Sequence, residues 1–249
     1  MDASEAAVFL TAEWRWLAIL NYEIDPAVLR PRVPRGTELD AWRGLAFVSV
    51  VGFRFLDTRI AGWTIPFHRN FDEINLRFYV RRREADGWRR GVVFVREIVP
   101  RWAIAAIARL VYNENYLALP MRHRLDLPHG ESSERGAVEY AWQRDRRWNH
   151  LRAEVTGRAR KPKSGSEEEF ITEHHWGYAA QRDGSTVEYR VEHSSWAVWG
   201  ASRAALDCDV AAVYGPEFVS CLSVAPASAF VAVGSPVTVR RGLPLEAAA

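Results

Sequence analysis

From residue 73 to residue 80, apolar and polar side chains alternate without a break. Ile74, Leu76, Phe78 and Val80 fall on one side, and Glu73, Asn75, Arg77 and Tyr79 on the other. A period of two sustained over this length predicts a strand with two unlike faces. A turn at Asp86-Gly87 leads into a second strand over residues 91–99. The apolar face requires a core. The polar face has two readings, bulk water or an enclosed polar cavity.

The same pattern-reading places the other elements. Residues 14–22 read as the first strand, followed by a short helix with Asp25 as its N-cap and Pro26 at its first position. Residues 38–42 and 45–55 read as a hairpin around Arg43-Gly44. Its second arm (Ala46, Phe47, Val48, Val50, Val51, Phe53) is apolar enough for burial on both faces. Residues 56–69 read as a loop, with Trp63 and Phe67 packed on a barrel end or capping a pocket. Ile104, Ile107, Ala108 and Val111 recur at helical spacing and make residues 101–111 the best helix of the chain.

Beyond it, residues 137–142 and 150–158 form a strand pair. Ser166 and the acidic run 167–169 start a short helix reaching about residue 174. Residues 176–181 and 186–192 make a hairpin through Asp183-Gly184, residues 196–204 are extended, and residues 236–240 form a last strand. The stretch from residue 211 onward has no clear pattern before that strand. Many short strands and two or three short helices predict a mostly β (α+β) architecture, one barrel-like domain over residues 1–249.

Composition changes this picture little. The net charge of +2 gives no case for a nucleic-acid or membrane partner. No apolar run approaches the length of a membrane span. Two cysteines, Cys208 and Cys221, suit a reducing compartment, and the expected location is the cytoplasm. The 33 basic residues are 31 Arg and two Lys, Lys161 and Lys163. That bias bears directly on chemistry.

Several segments together resemble a known family. Leu39-Asp40, Gly44 to Val51, Phe71 to Arg77, Phe170 to His174 and Glu192 to Trp196 are similar to a bacterial YqjF-like domain-of-unknown-function family. That family in turn resembles the acetoacetate decarboxylase superfamily. The resemblance covers roughly residues 14–241 and implies a mainly β fold enclosing a central cavity. It also implies a position for the imine-forming lysine of the decarboxylating relatives, after the helix and near Asn115 or Tyr116. No lysine stands there. Lys161 and Lys163 lie in a Pro/Gly/Ser connector, where a solvated amine stays protonated at neutral pH. A Schiff-base lysine needs a desolvated or cation-flanked amine, so decarboxylation by that route is disfavoured.

The resemblance makes Glu73 the candidate catalytic group, because it matches a carboxylate the relatives place on a cavity strand. A carboxylate in a partly apolar pocket serves as general acid or base. A surface glutamate paired with Arg77 is the alternative. Asn75 and Arg77 are candidates for orienting a carbonyl and clamping a carboxylate. Arg109, Glu114 and Tyr116 are further substrate-binding candidates, set against an ordinary polar loop. Adjacent residues of a strand face opposite ways, so at most one of Arg96 and Glu97 shares the cavity.

His174 and His175 have the wrong spacing for a chelate, and no metal motif is present. His193 beside Ser194 and Ser195 lacks the Gly-x-Ser-x-Gly elbow of a hydrolase. The expectation is therefore a small-molecule ligand, no cofactor and no metal, with homo-oligomerisation left open. The function expected is lysine-independent chemistry on a small organic acid or carbonyl compound. The alternative is a non-catalytic binder that has lost the decarboxylase chemistry.

Overall fold

The computed structural model describes residues 5–64, 66, 68–85, 87–100, 115–128 and 135–245. In chain order the strands are β1 (Val8–Glu23), β2 (Glu38–Leu39), β3 (Phe47–Ile60), β4 (Phe71–Glu84), β5 (Gly87–Val99), β6 (Tyr116–Ala118), β7 (Met121–Asp126), β8 (Arg135–Arg144), β9 (Arg147–Thr156), β10 (Trp176–Ala180), β11 (Thr186–His193), β12 (Val198–Asp207), β13 (Ser228–Arg240) and β14 (Leu243–Pro244). Four short helices accompany them among the described residues: α1 (Pro26–Leu29), α2 (Glu167–Thr172), α3 (Val210–Val213) and α4 (Val219–Leu222). The last two fill the stretch after residue 211 that the sequence pattern left unassigned. The helix expected over residues 101–111 lies outside the described residues.

Seven strands close on themselves in the order β1-β3-β4-β5-β10-β11-β13, with β13 returning to β1. The β11–β13 closure is short: Val191↔Val239, Glu192↔Thr238 and His193↔Val237. From β13 the ladder continues outward as β12-β9-β8-β7, a second sheet folded back over one wall of the barrel. This is the mostly β, cavity-enclosing barrel that the sequence predicts.

Two apolar cores follow from the pleat. Ile74, Leu76, Phe78 and Val80 of β4 join Val48 and Val50 of β3, and pack against Tyr140, Trp142, Leu151 and Val155 of the outer sheet. The opposite side chains point into the barrel, where Ile19, Val51, Phe53, Phe55, Phe71, Tyr79, Phe170 and Trp196 cluster. Both faces of β4 are therefore enclosed, and every residue from Phe71 to Val80 is buried.

Two expectations fail locally. Arg43 and Gly44 both adopt positive φ (51° and 84°) and close a tight turn with paired Trp42–Leu45 hydrogen bonds of 3.0 Å. The hairpin stops there, because both edges of β3 are already taken. Val48 pairs with Tyr22 on one side and Phe78 on the other. Residues 38–39 pair with β4 instead, Leu39 opposite Val80, and the Asp40 N–H donates to Tyr79 O at 3.0 Å. The loop expected from residue 56 begins later, since β3 runs on to Ile60. Trp63 is 80% exposed, and Phe67 lies outside the described residues.

Helix starts match their sequence signals. The Asp25 side chain accepts from the Ala27 N–H at 2.8 Å, and Ser166 Oγ accepts from the Glu169 N–H at 3.3 Å. Helix α2 ends at Thr172, two residues short of expectation. His174 consequently sits on the extended chain entering β10.

Candidate functional site

The barrel interior holds a cavity of about 120 Å³. Aromatic and aliphatic side chains make most of its wall, among them Trp14, Phe53, Phe55, Phe71, Phe94 and Trp196. Set into that wall are Glu73, Asn75, Arg77, Glu97, Tyr116, Thr172, His174 and His193. An apolar chamber with a few convergent polar groups is the usual form of a small-molecule site.

Strand β4 supplies the first three polar groups, on the face that alternation predicts. Glu73 is 3% exposed and lines the cavity. Asn75 Nδ2 donates to Glu73 Oε1 at 3.0 Å. Arg77 is buried as well. It makes no ion pair among the described residues, and its Nε is buried without a hydrogen-bond acceptor there. Its guanidinium carbon lies 5.8 Å from the centre of the Tyr79 ring.

Strand β5 adds Glu97, which sequence reasoning weighed but did not select. Simple alternation from Val92 and Phe94 would carry Arg96 inward. An extra residue in the ladder prevents this: Arg77 pairs with Phe94 but Leu76 pairs with Arg96, which leaves Val95 unpaired. Such a bulge resets the parity of the strand. Glu97 then faces the cavity opposite Asn75, and Arg96 turns to the other side. The bulge has no local sequence signal, since Val95 and its neighbours are ordinary strand residues.

Tyr116 is placed by β6, a three-residue parallel neighbour of β5 that sets it beside Glu97. It is buried in the cavity wall. The other two candidates from this part of the chain, Arg109 and Glu114, lie outside the described residues. Lys161 and Lys163 are exposed on their connector, and neither lines the cavity.

The histidines separate as adjacent residues must. His175 turns to Glu173, with Nε2 3.2 Å from Oε2, and lies tilted against His193 at 4.4 Å between ring centres. His193 in turn stacks on Trp196 at 4.2 Å. His174 goes inward instead, with Nε2 3.3 Å from Asp40 Oδ2. Burial pushes both cavity imidazoles down, His174 to about 4 and His193 to about 4. Both are neutral at neutral pH. For Asp40, burial alone would raise the carboxyl. Hydrogen bonds from His174 and from Arg90 (Nε to Oδ2, 2.7 Å) overcome that and hold it below the usual range.

Sequence reasoning considered His174 only as a metal ligand, and missed its partnership with Asp40 across 134 positions. Both residues did belong to the segments that carried the family resemblance. No group of three metal-ligating side chains occurs among the described residues.

A closed barrel of this strand order around an internal cavity is an acetoacetate-decarboxylase-like fold. Acetoacetate decarboxylase from Legionella pneumophila superposes with a TM-score of 0.64, over 96% of this chain and 88% of that one, at 14% identity. The enduracididine biosynthesis enzyme MppR, complexed with pyruvate, gives 0.65 over 96% and 91%, at 15% identity. At such identities the likeness is one of fold.

Residues 11–236 match the model of the family DUF2071, described as "Uncharacterized conserved protein (COG2071)", and the chain belongs to that family. The uncharacterized protein YqjF of Bacillus subtilis (strain 168) is 33% identical over 75 residues, 30% of this chain and 31% of that protein. The matched stretch thus spans less than a third of that relative's length. Among the described residues no helix is long and apolar enough to cross a membrane.

Proposed function

We propose that this barrel binds a small organic acid. In this reading Arg77 grips the carboxylate, and Glu73 is the acid/base group acting on the bound acid or carbonyl compound. Arg77 carries the reading. A guanidinium only 7% exposed, in an apolar wall and without an ion-pair partner among the described residues, is an electrostatic vacancy for an anion. Asn75 and Tyr116 stand beside it as groups that orient the remainder of the ligand. The pyruvate complex of MppR, a protein of like fold, supports the ligand class.

With both lysines on the exposed connector, the chemistry proposed needs no imine. Proton transfer falls to Glu73, with Glu97 as a second buried carboxylate on the neighbouring strand. The missing cavity lysine also favours a second reading, a binder without turnover.

Titration calorimetry with pyruvate and with methyl pyruvate tests the anion site. Pyruvate should bind and its ester should not, and Arg77→Met should weaken pyruvate roughly ten- to hundredfold. Equal binding of acid and ester would remove Arg77 from its role. Native mass spectrometry after exposure to a metabolite extract separates the two readings, since a binder keeps its ligand unchanged and an enzyme releases product.

A further inference from the structure

Outside the carboxylate–arginine group, the cavity contains one feature that the proposed function has not used. The His174 side chain is 1% exposed, and its Nδ1 is buried with no hydrogen-bond partner among the described residues. Its orientation is fixed from three sides. Tyr79 and Phe170 lie against the ring at 4.7 and 5.1 Å between centres, and Asp40 holds Nε2. Asp40 is itself immobilised by its backbone bond to Tyr79 and by Arg90, and it takes no part in the cavity lining.

This arrangement specifies a tautomer. An ionised carboxylate only accepts hydrogen bonds, so the nitrogen facing Asp40 carries the proton. Burial and the nearby Arg90 and Arg77 charges keep the ring from taking a second proton. Nδ1 is left with a bare lone pair, on a residue that lines the cavity. A buried acceptor in that state gains from any ligand that brings a donor. Arg77 and His174 both line the cavity and both lie against the Tyr79 ring, which places the guanidinium and the imidazole within one part of its wall.

We propose that His174 Nδ1 is a preset hydrogen-bond acceptor, locked by Asp40, that selects organic acids carrying a hydroxyl next to the carboxylate. The inference rests on the anion-binding reading of Arg77 and narrows it from small organic acids to 2-hydroxy acids. His174 touches the ligand; Asp40 is a positioning residue that acts through it.

The test uses the full chain with lactate and its O-methyl ether, 2-methoxypropionate. The two share the carboxylate and differ in the donor. Wild type should bind lactate at least about tenfold more tightly. In ¹⁵N-histidine-labelled protein, His174 should show a protonated Nε2 and an unprotonated Nδ1, and lactate alone should shift the Nδ1 resonance. Asp40→Leu should mix the tautomers and reduce the preference to about twofold or less, with a thermal scan to confirm folding. Equal affinity for the two acids in wild type, or a protonated Nδ1, overturns the inference. If neither acid binds, the anion-site reading itself fails, and that result is distinct from equal binding. The wild-type tautomer is measured without any variant, so a variant that does not fold leaves the inference open to refutation.

Discussion

Inside the barrel Asn75 donates to Glu73 at 3.0 Å, from two residues along the same strand. Same-face neighbours on one strand usually stand apart, yet here the shorter side chain supports the longer one. Asn75→Leu keeps the volume and removes the donor. It should lower unfolding free energy by about 1–2 kcal/mol in urea titrations. Glu73→Gln keeps an acceptor for Asn75, so its melting temperature should stay near wild type while any turnover is abolished. Surviving turnover would displace Glu73 from the acid/base role.

Arg77 lines the cavity and Arg90 pairs with Asp40 outside its lining, and the two differ in expected stability effect. Arg90 neutralises Asp40, which is 5% exposed, and Arg90→Met strands that carboxylate. The expected cost is roughly 2–3 kcal/mol, less than for a fully buried pair because a third of the Arg90 side chain remains in solvent. Arg77→Met breaks no ion pair among the described residues and should unfold within about 1 kcal/mol of wild type, or later. Equilibrium denaturation of the two variants side by side checks the contrast.

Acid should weaken the fold well above the carboxylate range. His174 and His193 titrate near 4 in the folded chain, against an ordinary 6.5. Between those values the unfolded chain binds more protons, so stability rises with pH through that window and is lost as pH falls from 6.5 toward 4. Each group contributes a slope of about 1.4 kcal/mol per pH unit. Asp40, held below its ordinary value, adds its loss only at lower pH, as the pH falls through its folded value. Urea midpoints measured from pH 7 to 4 should show the slope, and His174→Gln should reduce it by about half.

At Gly234 the barrel wall leaves no room for a methyl group. Gly234 has φ +84°, and a Cβ there would stand 1.9 Å from the Trp14 carbonyl oxygen. The obstacle is backbone, so no rotamer relieves it. Gly234→Ala should destabilise by about 3 kcal/mol or more, read as a lowered thermal midpoint.

Borohydride added with acetoacetate should leave the intact mass of the protein unchanged. The two lysines sit exposed on the connector, where an amine stays protonated. A stable adduct on Lys161 or Lys163 would restore imine chemistry.

How much was legible in the sequence differs from residue to residue. The inward set of β4 could be read directly, because the eight alternating positions 73–80 specify two faces and the resemblance indicated that a cavity lay behind one of them. Glu97 could not. Its orientation depends on one unpaired residue at Val95, a feature of ladder geometry that composition does not mark. The Asp40–His174 contact joins β2 to the chain before β10, and no local pattern encodes a meeting of such distant segments. The pairing of β2 was misassigned because a tight turn at Arg43-Gly44 looks the same whether or not the ladder continues beyond it. The capping signals at Asp25 and Ser166 were reliable, since each satisfies donors within a few residues of itself.

Burial of β4 on both sides couples two properties that most proteins keep apart. A slip of one residue against β3 would drive Glu73, Asn75 and Arg77 into the greasy seam against the outer sheet, and turn Ile74, Leu76 and Phe78 onto the ligand. The alignment that makes the chamber hospitable to an acid is therefore the same one that lets the molecule solidify. A chain that misaligned this hairpin would lose its shape before it lost its selectivity.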